Sequence, residues 1–172
     1  MVLRHDVELL GTPVISLYGD HRKPRAGDLE GLDALVFDLQ GAGVRFYTYV
    51  STMILCLEAA AERGLEFVVL DRPNPLGGTA VEGNVLDPGY RSFVGMHPLA
   101  VRHGMTIGEL ASMFQKELGL DVGLMTGDVT LQPDAQVLVA AVGEIGQVAA
   151  RDLELDHAVG VGRVHRDGQQ VD

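Results

Sequence analysis

The chain has 172 residues, a formal net charge of −11 at neutral pH, and a composition that is 47% hydrophobic and 22% charged with 22 glycines. That profile fits one ordinary α/β domain able to bury a single core, and excludes collagen-like, disulfide-stapled and disordered classes. A net charge of this sign repels phosphate backbones and no basic stripe offsets it, so nucleic acid is not an expected partner.

The N-terminus, Met1 to Val7, lacks the apolar run of a signal peptide, and no segment is long and apolar enough to span a bilayer. A cytoplasmic chain without a membrane partner is therefore expected. Pro13 to Gly19 reads as a short strand closed by the Gly19-Asp20 turn, followed by a basic loop over Arg22 to Arg25 and helical turns around Asp28 to Leu32. Ala34 to Leu39 is apolar without alternation, the pattern of a strand buried on both faces of a parallel sheet.

A loop from Gln40 to Arg45 leads into a predicted helix over Phe46 to Arg63, stopped by Gly64, and Phe67 to Leu70 is the next buried strand. Strand, helix and strand form one βαβ unit. The single cysteine, Cys56, sits in the apolar run Met53 to Leu57 and reads as a small buried hydrophobe. Asp71 to Tyr90 is rich in glycine, proline and asparagine and reads as a long ordered loop, a type that often carries function.

Thr106-Ile107-Gly108-Glu109 is a capping box that opens a helix to Leu118, so Glu109 is a cap rather than a catalyst. Strands near Gly123 to Met125 and over Val137 to Val142 follow, then a further helix and a last strand near His157 to Val161. The element order is α/β with a mostly parallel sheet. The expected division is residues 1–120 as the main domain and 121–172 as additional α/β elements.

Ligands of open α/β sheets bind beyond the carboxyl ends of the strands, which singles out Asp38 and Gln40 after one strand and Asp71, Arg72 and Asn74 after the next. Gly41-x-Gly43 resembles the start of a dinucleotide fingerprint, but Phe46 occupies the third glycine position. Arg45, Tyr47 and Tyr49 suit either packing or a small polar or anionic ligand, whereas Phe46 by itself reads as packing. Glu82 adds a carboxylate, and Arg102 a cation. His103 is either a titratable group of the site or a satisfied loop histidine; His97 reads as the latter. Paired carboxyls can hydrolyse glycosides, one as acid and the other as base or nucleophile. No metal-ligating pattern is present, and neither metal nor cofactor is expected.

Pro13 to Gly19, Val36 to Gln40, Gly43 to Met53, Val69 to Gly77, Val81-Glu82-Gly83, Phe93-Val94-Gly95 and Val101 to Ala111, taken together, resemble the bacterial exo-β-N-acetylmuramidase family of glycoside hydrolases in order and spacing, over roughly residues 9–118. The resemblance implies a Rossmann-like three-layer domain and removal of terminal N-acetylmuramic acid from peptidoglycan fragments. It makes Glu82, Asp38 and His103 the catalytic candidates. Gln40, Arg45, Tyr47, Tyr49, Asp71, Arg72, Asn74 and Arg102 become contacts for a muramic-acid-containing sugar.

Three departures predict impaired catalysis, the third being the tail that stands where the family has its second domain. The family's Pro-Glu-His-Gly segment, with the best candidate acid, has no counterpart here, and Gly41-Ala42 stand where the family has Asp-Val. Sheet edges exposed by shortening predict self-association into a homo-oligomer. The tail from Val137, with its ending Gly162 to Gly168, resembles the end of the bifunctional methylenetetrahydrofolate dehydrogenase/cyclohydrolase. That likeness implies an alternative NADP-binding oxidoreductase fragment within a composite chain; a non-catalytic sugar-binding remnant is the other alternative.

Overall fold

The computed structural model describes residues 15–127, 137–140, 148–149 and 160–164. Strand β1 (Ala34–Asp38) is buried along its whole length, as its unbroken apolar run predicts. It pairs in parallel with β2 (Glu66–Leu70), which pairs in parallel with β5 (Leu124–Gly127). On the other side of β1 the sheet continues antiparallel through β8 (Gly160–Val164), β6 (Val137–Ala140) and β7 (Val148–Ala149), giving the order β5-β2-β1-β8-β6-β7. Of the interval 143–156, where a helix is expected, Val148–Ala149 is the described part and forms β7.

Helix α1 (Tyr49–Arg63) connects β1 to β2 and packs on both, while α2 (Ile107–Leu118) packs on β2 and β5 and touches α1. Both helices end on a glycine in the left-handed conformation, Gly64 (φ 65°) and Gly119 (φ 63°), whose N–H groups close the last turn. At the start of α2 the capping box forms: Thr106 Oγ1 accepts from Glu109 N–H at 3.1 Å, and Glu109 Oε2 accepts from Thr106 N–H at 2.8 Å. Glu109 is a cap, as expected. No helix of the described residues is long and apolar enough to cross a membrane.

Three expectations need correction. Helix α1 starts at Tyr49 rather than Phe46, because Val44 is drawn into a bridge with Arg102 and the chain turns through Tyr47 before the helix begins. Ile15 to Gly19 hold no strand, with Leu17 and Tyr18 in a turn, and Pro13 and Val14 lie outside the described residues. The long loop after β2 contains a strand, β3 (Glu82–Val85), paired antiparallel with β4 (Ala100–Arg102). All four β3 residues are exposed, so no apolar alternation marked it.

The core lies between sheet and helices, where Phe37 and Phe67 stack with centroids 6.2 Å apart and Met53, Leu57, Leu110 and Phe114 are fully enclosed. Cys56 is part of it, and burial pushes its thiol up to about 12, the environment of an inert cysteine. Deleting the Phe114 ring leaves a cavity that packed neighbours fill incompletely. Phe114→Ala is expected to lower unfolding free energy by about 3–5 kcal/mol, and the exposed Val94→Ala to change it by less than about 0.5 kcal/mol, both read from urea transitions.

Candidate functional site

Three segments meet at the carboxyl ends of β1 and β2: residues 38–49 after β1, residues 71–82 after β2, and the end of β4 with the entry to α2. Steric limits bring them together. Gly43 has φ +78°, and a Cβ there would stand 2.3 Å from Asn74 Oδ1; a Cβ on Gly41 would stand 2.7 Å from Ile107 Cδ1. These glycines admit neighbouring side chains, and α1 begins only at Tyr49. Gly41-x-Gly43 is thus a packing motif, and the dinucleotide reading loses its local support. The tail that also suggested NADP lies largely outside the described residues.

Asp71 joins β2 to α2. Its Oδ1 accepts from Gly108 N–H at 2.8 Å and from Arg72 N–H at 3.0 Å, and its Oδ2 accepts from Thr106 Oγ1–H at 2.7 Å. The carboxylate therefore sits at the positive end of the helix dipole. Asn74 makes the parallel link, with Nδ2 donating to Met105 O at 2.9 Å and Oδ1 accepting from Leu76 N–H at 2.9 Å. Both residues were expected to touch ligand, and both are engaged in tying loops together.

Asp38 is the buried charge of the site. Its side chain is 2% exposed and ion-paired through Oδ1 with Arg72, which is 41% exposed. Arg72 is close without being aligned as a hydrogen-bond donor. Burial pushes the Asp38 carboxyl above its ordinary range, and the opposing pull of Arg72 does not cancel that. Gln40 donates from Nε2 to Gly41 O at 2.9 Å.

Arg45 Nη1 donates to Leu99 O and, at 2.8 Å, to Asn84 O, while its backbone N–H donates to Val101 O at 2.8 Å. It clamps the β3–β4 pair against the loop before α1. Glu82 stands opposite Arg102 across that pair and accepts from its Nη1 at 2.6 Å; the Glu82 side chain is 64% exposed. Arg102 Nη2 also donates to Leu76 O, while its Nε is buried without a partner among the described residues.

His103 Nδ1 accepts from Met105 N–H at 3.2 Å, which leaves the proton of the neutral ring on Nε2. That Nε2 is buried and has no partner among the described residues. Burial lowers the His103 pKa from its ordinary 6.5, with the Met105 contact pulling weakly the other way. Burial thus favours the neutral ring of His103 over the imidazolium. His97, by contrast, is satisfied: it meets Glu117 Oε2 at 2.6 Å and lies edge-on to Phe114.

Tyr47 and Tyr49 pack edge-to-face at 4.8 Å between centroids, and Tyr47 remains partly exposed. Burial, then the neighbouring phenols of Tyr47 and Tyr18, raises the Tyr49 pKa. Phe46, expected to pack, is 56% exposed. Tyr18 was not singled out by sequence, yet its hydroxyl lies 3.0 Å from Thr48 Oγ1 at the start of α1 and its ring packs edge-on to Phe93. Its position just before the Gly19 turn was the available signal.

A family model described as "Exo-beta-N-acetylmuramidase NamZ, N-terminal" matches residues 3–139. Over 117 residues the chain is 55% identical to the peptidoglycan beta-N-acetylmuramidase NamZ of Bacillus subtilis strain 168, covering 68% of this chain and 28% of that protein. Two crystal structures of DUF1343 family proteins from Bacteroides fragilis NCTC 9343 share the fold. One has TM-score 0.66 and 47% identity over 72% of this chain and 34% of its own; the other has TM-score 0.62 and 38% identity over 69% and 33%. The chain spans about a third or less of the length of these relatives. The α/β fold is Rossmann-like, as expected.

Removing the Asp71 carboxylate leaves three donors without their acceptor, and Asp71→Ala is expected to lower stability by about 2–4 kcal/mol in urea unfolding. For His103 the folded state disfavours the protonated ring, so the unfolded chain binds more protons and stability falls as pH drops through and below about 6.5. Between about pH 7 and pH 5 the urea midpoint should fall more steeply in the wild type than in His103→Gln; equal slopes would show that His103 titrates alike in both states.

Proposed function

The chain belongs to the exo-β-N-acetylmuramidase family through that family's N-terminal domain, and on that premise we propose that it recognises terminal N-acetylmuramic acid of peptidoglycan-derived sugars and acts as an exo-glycoside hydrolase. The observation that carries this reading is the buried Asp38 carboxyl beside Arg72 at the carboxyl end of the parallel strands. Desolvation raises its pKa against the pull of Arg72, and a carboxyl shifted in that direction suits a general acid at a leaving glycosidic oxygen. Glu82 is the second carboxylate, serving as base or nucleophile, and Arg102 orients it.

In this scheme the His103 Nε2–H group, held by its Nδ1 contact, donates to a sugar oxygen. Arg72, the more exposed member of its ion pair, offers a fork to the lactyl carboxylate, and Tyr47 and Tyr49 offer phenols to hydroxyls. Gln40 serves the amide. Arg45, Asp71, Asn74 and Arg102 act by holding the loops that carry these groups. On this reading residues 1–120 are the glycosidase-type domain and 121–172 an addition to it, whose described strands β5, β6, β7 and β8 join the sheet.

A second reading, sugar recognition without turnover, is favoured by one observation. Gly41 and Ala42 stand where family members carry Asp-Val, and Gly41 is filled against Ile107, so no carboxylate neighbours Asp38 from that loop. Release of N-acetylmuramic acid from a chromogenic muramide, together with binding of the free sugar, tests both. Hydrolysis is expected from the wild type, with kcat reduced by about 10²–10⁴ in Asp38→Asn and in Glu82→Gln and sugar binding retained in Glu82→Gln. Binding without turnover in folded wild type selects the second reading, and absence of both rejects the first and the second together.

A further inference from the structure

Between α1 and α2 lies a groove of about 440 Å³ that shares no residue with the site above. Ile54 and Leu55 of α1, Leu118 of α2, and Phe93 and Met96 of the covering segment give it an apolar floor. Its size falls within the range of about 300–1,000 Å³ typical of small-ligand clefts.

The charged groups around this floor are unequally matched. Glu58 shares Lys23 Nζ (3.1 Å) with Glu62 (2.7 Å), and His97 meets Glu117 at 2.6 Å. Arg22 lies 4.1 Å over the Phe93 ring, and neither it nor Arg91 has a carboxylate partner among the described residues. In a chain of net charge −11 these two guanidiniums outnumber the one lining carboxylate, Glu58. The ring contact holds Arg22 at the groove, which reduces the ordering needed to engage an anion.

We infer that this groove is a second ligand site, taking a small amphipathic anion whose carboxylate or phosphate head meets Arg22 and Arg91 while its apolar body lies on Ile54, Leu55, Met96 and Leu118. Charge complementarity selects the head, and area removed from water holds the body. The assignment does not depend on the sugar reading, because none of these residues belongs to that site.

Titration of the whole chain with octanoate, octyl phosphate and octanol, followed through the methyl resonances of Ile54, Leu55, Met96 and Leu118, tests it. Both anions should shift these signals saturably, and octanol should bind at least about tenfold more weakly, since hydrogen bonds to charged groups carry an affinity factor of that order. The double variant Arg22→Gln/Arg91→Gln should lose at least about tenfold for the anions, with its unliganded spectrum otherwise unchanged. The relative affinity of octanoate and octyl phosphate identifies the preferred head. Octanol binding as tightly as octanoate, anion affinity unchanged in the double variant, or no saturable shift in the groove would overturn the proposal. So would concentration-dependent shifts of the same signals without ligand, which would make the groove a contact between copies of this chain.

Discussion

One carboxylate, that of Asp71, determines how the two halves of the βαβα frame meet. It follows directly from β2 and accepts hydrogen bonds from the first turn of α2 and from the Thr106 hydroxyl. A Cβ on Gly108 would stand 2.6 Å from its Oδ2, so carboxylate and glycine require each other. Thr106 is thereby doubly used, accepting from the backbone of Glu109 and donating to Asp71. Hydrogen bonds to an ionised acceptor contribute about 1.5–3 kcal/mol each, and the helix dipole favours the negative charge at this end.

From that junction the rest of the site follows as a series of loop fastenings. Asn74 bonds to Met105 O just before α2, Gly43 makes room for Asn74, and Val44 bridges to Arg102. Arg45 then secures the carbonyls of Asn84 and Leu99. Several residues with the look of ligand contacts are thus occupied in holding backbone. Irregular segments that approach a core need side-chain partners for their polar groups.

The groups proposed to meet a ligand differ from the fasteners in their electrostatics. Asp38 is buried with its carboxyl pushed up, and His103 is buried with its imidazole pushed down, so burial favours the neutral form of each. The unpartnered Nε2–H of His103 carries a desolvation cost that a ligand acceptor would relieve. Perturbed groups of this kind concentrate where chemistry or binding occurs. Residues 88–98, which lead from the exposed strand β3 into β4, also furnish Phe93 and Met96 to the separate groove between the helices.

Sequence by itself determined the elements whose signal is local. The unbroken apolar run of β1, the capping box of α2 and the glycine stop at Gly64 follow from burial, side-chain geometry and backbone freedom within a few residues of chain. The placing of Asp38 and Asp71 after buried strands was equally legible, as was that of His103 just before the capped helix. The tertiary structure decided what those groups do, because the partners come from distant segments. Asp71 meets Gly108 thirty-seven residues on, Arg45 meets Leu99 fifty-four residues on, and β3 exists through its pairing with β4. Propensity and periodicity report which residues seek burial or caps, whereas which donor reaches which acceptor depends on the long-range approach of segments whose contacts no local pattern records.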